Sequence, residues 1–345
     1  MVTIFDLVRA NEVASYWNET NANSVPFLGE TLFPNNKKLG LTLSWLKGSK
    51  GIPVSLKLSA FDAKAVPRAR MGLDKATADM PFFKESMYVD EKLRQELNKV
   101  IESGNQAYID AVMNRVFNDE VTLIEAAAVA RERMRMMLLT TGTISIASNG
   151  QAYDYNYGID SAQKKTVTKD WSDPTADIIG DITAWQEDRE TTVGVKPTRA
   201  ICDRKTWGYM LKNTAIVKSI FALSDGSTHV SNNKLRDFLM DELELEIVVY
   251  SKKYKDETGA VKPYVPADTF VLFPEGDLGN TWFGTTPEES DLMASGVENV
   301  AIVDDGVAVT TMKSYDPVNV ETKVTQICLP DFPTADQIII ADLTV

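Results

Sequence analysis

The sequence predicts an α+β protein carrying one segment that cannot fold on its own, and three patterns say so. Between Asn36 and Lys75, two stretches that alternate apolar and polar residues flank a basic, glycine-containing tip. Between Asp119 and Thr140, an apolar seam recurs at helical spacing. From Arg199 onward, short strand-like runs interleave with helical ones, and beyond Met312 strands dominate.

Taken in order, Ile4, Leu7, Val8 and Val13 give residues 3–19 helical spacing. Phe27, Leu28, Leu32, Phe33 and Pro34 follow without period, punctuated by Pro26 and Gly29, as in an extended tail with apolar anchors. Leu39 to Leu46 alternates at period two, Lys47-Gly48-Ser49-Lys50-Gly51 supplies the turn, and Ile52 to Leu58 alternates again. A lone two-stranded hairpin is marginal in water, so its apolar face requires another surface. Lys37, Lys38, Lys47, Lys50, Lys57, Lys64, Arg68, Arg70 and Lys75 stand against Asp62 and Asp74, so this arm carries +7 on a chain of net charge −13, leaving −20 elsewhere. A basic arm on an acidic body suits a contact with a second copy of the same chain.

Residues 67–80 read as irregular and Pro81 to Val89 as a strand leading into a helix. Asp90 suits an N-cap, with Leu93, Leu97 and Val100 beyond it; Gly104 interrupts; Tyr108, Val112 and Val116 resume the stripe. Asn118 or Asp119 caps a further helix whose seam is Leu123, Ala127, Ala130, Met134 and Met137, with Glu125, Glu132 and Arg135 as its polar back. Twenty or so residues at 1.5 Å each make a rod of roughly 30 Å. Asn149-Gly150 marks a hairpin between Thr141–Ile146 and Ala152–Tyr157. Asp173 and Pro174 suit the start of a helix that buries Ile178, Ile182 and Trp185 and exposes Asp177, Asp181 and Asp188. Strands are expected at Arg199–Cys202, Glu244–Tyr250, Thr269–Phe273, Val318–Val324 and Gln337–Val345, and helices at Lys205–Asn213 and Leu235–Leu243.

At 345 residues the chain suggests two or three compact units. No apolar run approaches the ~18 residues that span a bilayer. Met1-Val2-Thr3-Ile4-Phe5-Asp6 lacks the basic start and apolar run of a signal peptide, so a cytoplasmic site of synthesis and residence is expected. Cys202 and Cys328 are expected to be buried thiols.

Chemistry-bearing patterns are scarce. The single histidine, His229, sits in a polar loop and builds no Ser-His-Asp set. No Cys-x-x-Cys, His-Glu-x-x-His or phosphate-loop spacing occurs, so no cofactor is expected; Gly48-Ser49-Lys50-Gly51 lacks the Gly-Lys-Ser/Thr ending. Asp177 and Asp181, one helical turn apart, leave open a metal-dependent hydrolase, though a solvated acidic helix face is the simpler reading. The +7 arm leaves open a nucleic-acid-binding module, against the acidity of the whole and the lack of an aromatic-basic stacking surface.

Leu32-Phe33-Pro34-Asn35, Trp45-Leu46-Lys47-Gly48, Phe61-Asp62-Ala63, Met80 to Ser86, Glu91 to Leu97, Ile124 to Ala128 and Arg131 to Met134, in this order and spacing, resemble the lambda-type major capsid proteins of tailed bacteriophages, the protein E family. The resemblance covers roughly residues 25–140 in motif and the remainder in the order of its elements. It implies the Hong Kong 97-type phage capsid fold, with an N-terminal arm (1–35), an extended loop (36–85), a peripheral domain (86–160 and 306–329) containing a spine helix (119–140), and an axial domain (161–305 and 330–345). It further implies a structural protein, not an enzyme, that assembles with itself into hexamers and pentamers of an icosahedral head around double-stranded DNA, in the host bacterial cytoplasm, without a membrane. Scaffolding is expected to be a separate protein, or a segment removed before this numbering, because the chain begins with a short helix and no long charged extension; a portal and a decoration protein are further implied partners. Lys50 and Lys57 lie where some members of the fold crosslink, yet no acceptor motif matches and the lambda type is not expected to do so. Trp45, Lys47, Lys50, Val54, Leu56, Lys57, Lys64, Arg68 and Arg70 are the residues expected at the interface between copies.

Overall fold

The computed structural model describes residues 8–21, 26–47, 74–89, 91–103, 105–221, 230–296, 299–315 and 318–345. The chain divides into two compact units. The first comprises Met1–Leu43, Thr77–Met134 and Asn280–Asp331; the second comprises Ser44–Ala76, Arg135–Gly279 and Phe332–Val345. Among the described residues no helix is long and apolar enough to cross a membrane.

In the first unit, α1 (Ala10–Asn21), α2 (Leu28–Leu32) and β1 (Asn35–Lys37) are followed by β2 (Phe82–Tyr88), α3 (Glu91–Ser103) and the long α4 (Gln106–Thr141), whose last turns belong to the second unit. β3 (Thr281–Phe283), β4 (Asn299–Val303), β5 (Val307–Tyr315) and β6 (Val318–Pro330) complete it. These strands form one six-stranded sheet in the order β1-β3-β6-β5-β4, with β2 also on β6. β6 organises the sheet because it is 13 residues long and buried along most of its length. One of its edges pairs with β5 throughout, from Val307↔Gln326 to Tyr315↔Val318. The other edge is shared: Glu321 to Ile327 pair antiparallel with β2, and Cys328 to Pro330 pair with β3.

α4 runs unbroken for 36 residues, where the sequence suggested a new helix capped at Asn118 or Asp119. Neither glycine nor proline falls in that stretch, and the buried stripe continues through it as Met113, Val116, Glu120, Leu123, Ala127, Arg131 and Met134 at spacings of three and four. A potential cap ends nothing when its flanks keep the helical period. The polar back also differs: Glu125 is exposed, but Glu132 and Arg135 are buried.

The apolar tail expected over residues 27–34 contains the one-and-a-half-turn helix α2, and Leu32 and Phe33 are buried within the first unit. The strand Thr42–Lys47 pairs with Asp74–Asp79, part of the stretch read as irregular. Asp-Lys-Ala-Thr-Ala-Asp has no branched apolar alternation, so nothing in its composition announced a strand. The second expected strand of that hairpin, 52–58, lies outside the described residues.

The second unit is built on a five-stranded mixed sheet whose order is 164–166, 339–342, 269–273, 199–202, 246–249. The C-terminal strand Ile339–Asp342 thus lies inside the sheet, one position from its edge, antiparallel to Thr269–Phe273 and parallel to Lys164–Thr166. One apolar core joins this sheet to the helices Ile178–Val193, Arg204–Lys212, Thr214–Phe221 and Asn232–Leu243, through Trp171, Ile182, Trp207, Leu239 and Phe270 among others. The helix expected to start at Asp173 starts at Ile178: Asp177 is the cap, accepting from Gly180 N at 3.0 Å, while Asp173 closes a turn onto Thr175. Ile178, Ile182 and Trp185 are buried as the periodicity requires. The hairpin Thr143–Ser148/Gln151–Asn156 turns at Asn149 (φ 50°) and Gly150 (φ 74°).

The division between units falls elsewhere than the sequence suggested. Residues 280–305, grouped there with an axial segment, supply β3 and β4 to the first unit's sheet, because Asn299–Val303 ladders onto Val307–Thr311. The hairpin 143–156, grouped with the peripheral segment, falls in the second unit.

Candidate functional site

The arm singled out in the sequence leaves the first unit from a defined root. β1 lies parallel to β3, with Asn35↔Thr281 to Lys37↔Phe283 in register. Thr281 anchors it twice, its N–H donating to Pro34 O at 2.9 Å and its hydroxyl to Phe33 O at 3.0 Å. Lys38 N donates to Phe283 O at 2.8 Å and Lys37 pairs with Glu289 at 2.5 Å. Gly40 (φ 92°) then turns the chain, and its carbonyl passes so close to Gly284 that a Cβ there would sit 2.8 Å from it. Met80 N returns the contact to Leu41 O at 2.9 Å, and Thr42 donates to Asp79 at 3.2 Å. Leu39 and Leu41, 87% and 54% exposed, leave apolar surface uncovered at this root.

Of the expected interface residues, Trp45 and Lys47 lie in the strand Thr42–Lys47. Lys50, Val54, Leu56, Lys57, Lys64, Arg68 and Arg70 lie outside the described residues, as does His229.

A buried charged clamp beneath α1 and α2 was not anticipated. Arg131 of α4 donates to Asp304 Oδ2 at 2.8 Å and to Gln326 Oε1 at 3.0 Å, with its guanidinium 5.6 Å from the Phe283 ring centroid. Gln326 donates on to Ala127 O at 3.0 Å. Asp304, in the left-handed region at φ 47°, also accepts from Trp17 Nε1 of α1 at 3.2 Å. The next residue, Glu132, accepts from Gly29 N at the start of α2 at 3.1 Å. The N-terminal segment is therefore held by directional, charge-assisted bonds as well as by burial of Val13, Trp17, Leu32 and Phe33. Nearby, Lys323 of β6 and Glu288 form a buried ion pair at 2.7 Å that Thr325 joins. Burial pushes the Glu288 carboxyl up, but the bond and charge of Lys323 outweigh it and hold the group below its ordinary range.

Glu120 is the exception. It is 2% exposed, no cation faces it among the described residues, and burial pushes its carboxyl up to about 7 against the lowering effect of the Thr322 hydroxyl. The signal for these residues was present in the sequence. Glu120 and Arg131 fall on the apolar seam itself, four residues after Val116 and Ala127, so their burial follows from the period.

Arg131 with Asp304, and Lys323 with Glu288, neutralise each other inside the first unit. Asp177 is committed as a helix cap, and Asp181 accepts from Trp171 Nε1 at 2.9 Å while burial raises its carboxyl. No group of three His, Cys, Asp or Glu placed to hold a metal occurs among the described residues. Cys202 and Cys328 are both buried and form no disulfide, and burial raises the Cys202 thiol.

Comparison with known proteins identifies the family. The family model described as phage major capsid protein E matches residues 9–343. Among solved structures, a protein assigned as the capsid protein of a prophage in Escherichia coli CFT073 is similar at a TM-score of 0.61 and 14% identity, over 97% of this chain and 99% of the other. A phage-related protein from Bordetella bronchiseptica RB50 gives 0.58 and 13% identity over 97% of each chain. The capsid asymmetric unit of cyanophage A-1(L) gives 0.51 and 13% over 94% of each. The shared architecture is the Hong Kong 97-type capsid fold.

Proposed function

The chain belongs to the phage major capsid protein E family, a structural component of the virion capsid, and from that premise we propose that it closes into hexamers and pentamers of an icosahedral head around double-stranded DNA. The observation that carries the proposal is the root of the arm. The ladder Thr42–Lys47/Asp74–Asp79 joins no other sheet among the described residues. A free two-stranded ladder is marginal in water, so the segment it carries gains stability by lying on another surface. A second copy supplies that surface in a heterologous contact that closes into rings.

In this reading the first unit serves as the peripheral domain, with α4 as its spine helix, and the second unit's sheet and helices as the axial domain. Residues 280–305 then move to the peripheral side. Trp45, Val54 and Leu56 supply apolar contact with the neighbouring copy, and Lys47, Lys50, Lys57, Lys64, Arg68 and Arg70 steer and register it. Exposed charge pairs contribute only about 0–1 kcal/mol each, so their effect falls on the rate of association. A separate scaffolding protein, a portal and a decoration protein complete the head, and assembly takes place in the host bacterial cytoplasm. The chain's net charge of −13 suits weak, non-adhesive contact with packaged DNA.

Replacing Lys47, Lys50 and Lys57 together with glutamate is expected to slow particle formation at low salt, measured by light scattering, and to leave the circular dichroism of the subunit unchanged. Unaltered kinetics would remove the steering role. Trp45→Ala is expected to lower the melting temperature of assembled particles; equal melting of mutant and parent particles would remove the apolar one.

A further inference from the structure

In the second unit, the strands Lys253–Lys255 and Val261–Pro263 form a two-stranded ribbon that joins no other sheet. It is firmly built. Asp256 closes its turn by accepting from Thr258 N at 3.0 Å, Thr258 Oγ1 at 2.6 Å and Ala260 N at 2.9 Å, and pairs with Lys262 at 2.7 Å. Tyr254 packs on Tyr264 at 4.9 Å between ring centroids, and Tyr264 packs on Tyr250 at 5.9 Å.

The register Lys253↔Pro263 and Lys255↔Val261 puts these four side chains on one face, opposite the face of Tyr254. All four are exposed, Val261 to 60%. Neither Lys253 nor Lys255 pairs with a carboxylate among the described residues. A rigid ribbon thus presents two unpaired cations beside an apolar step.

The helix Asn232–Leu243 of the same unit presents the complement. Its two cations are turned onto aromatic rings, Lys234 over Phe221 at 4.7 Å and Arg236 over Trp207 at 5.7 Å. Asp237, Met240 and Asp241, at i, i+3 and i+4, share an exposed face on which Met240 is 47% exposed. Neither carboxylate has a cationic partner among the described residues. Two free anions flank an adaptable apolar side chain.

We propose that the ribbon face of Lys253, Lys255, Val261 and Pro263 seats on the Asp237–Met240–Asp241 face of a second copy of this chain, as a contact repeated around each ring. The two surfaces are different patches of one molecule, so the contact is heterologous and propagates from copy to copy until the ring closes. Opposite charges at its rim set register and disfavour other pairings, while Val261 and Met240 supply the apolar centre. This inference rests on the self-assembly proposed above and assigns that assembly a second contact, independent of the arm.

The test uses the full chain with the scaffolding protein of the same head supplied, and scores particles by sedimentation and electron microscopy. Lys253→Glu/Lys255→Glu and, separately, Asp237→Lys/Asp241→Lys are each expected to lower particle yield by about tenfold or more. All four side chains are exposed, so thermal unfolding of the subunit stays within a degree or two of the parent. Combining all four substitutions in one chain is expected to restore yield to within about threefold of the parent, because each reversed ribbon then meets a reversed helix on the next copy in rings of five as well as six. Parental yield from either variant alone, or loss in both with no rescue in the combined variant, overturns the ribbon contact while parental particles keep the capsid reading intact. Absence of particles from the parent overturns that reading, and the contact with it.

Discussion

The two units of this chain solve the same packing problem with different materials. The second unit fills its interior mainly with apolar side chains, although Arg135 and Arg189 are also buried there. Trp171 stacks on Trp185 at 5.8 Å and tilts against Phe270 at 5.2 Å, and Ile182, Leu235 and Leu239 are completely buried around them. The first unit buries ionisable groups between its long helix and sheet: Glu120, Arg131 and Glu132 on α4, Lys323 on β6 and Glu288 beside it. Apolar packing is non-directional and roughly proportional to area, so it gives the second unit cohesion. A buried charge is tolerable only where a particular partner stands, so the first unit's interior specifies where α1, α2 and β1 must lie. The contrast teaches that the unit bearing the arm is built for fixed placement of its N-terminal segment, at the expense of charge burial.

Substitutions that break this contrast should differ in kind. The largest effect is expected from Trp171→Ala, which removes a ring 1% exposed, its stacking and its bond to Asp181. It should cost about 3–5 kcal/mol in urea unfolding of the second unit. Glu288→Ala leaves the Lys323 ammonium buried without its partner and should cost about 3 kcal/mol, whereas Glu288→Leu with Lys323→Met should recover most of it. If that double variant is as unstable as the single one, the pair is not what the site requires.

Glu120 should behave in the opposite sense. Its folded value of about 7 lies above the ordinary carboxyl value of 4.5. The folded state therefore holds the proton more tightly, and stability present at pH 4 is lost as pH rises from about 4.5 through 7. Glu120→Gln should stabilise the first unit by on the order of 2 kcal/mol at pH 8 and flatten that slope, measured as the urea midpoint between pH 5 and 8. Glu288, held below its ordinary value, contributes stability above that value and loses it as pH falls through the depressed one, so parent unfolding below about pH 4 should steepen and Glu288→Ala should not. The smallest effect is expected from Asp177→Ala, about 1 kcal/mol from a lost cap, with thermal unfolding unmoved by magnesium or a chelator in either protein.

How much of this was legible in the sequence varied with the source of the order. The main helices and core strands of the second unit were readable because its core is apolar and periodic, as Ile178, Ile182 and Trp185 show, but the helix Thr214–Phe221, the edge strand Lys164–Thr166 and the ribbon Lys253–Lys255/Val261–Pro263 were not. The root of the arm was readable from its alternation and charge, but not its partner strand, because Asp74–Asp79 owes its extended form to pairing with residues some thirty positions earlier. The boundary of α4 was misjudged because Asn118 and Asp119 favour caps locally, while the surrounding period carries the helix through them. Glu132 and Arg135 were assigned to the polar back because charge usually means solvent; the burial of Glu132, and of Arg131 beside it, depends on Gly29, Asp304 and Gln326, which only the fold brings near. The period did contain the warning, since Arg131 sits on the seam and not behind it.

The most direct test of the account is electron microscopy of the purified chain with its scaffolding protein, carried to a resolution that traces residues 36–85. The account predicts closed shells in which that segment of each copy lies on the first unit of a neighbour. Persistent monomers, or shells in which each copy's arm folds back on its own body, would contradict it.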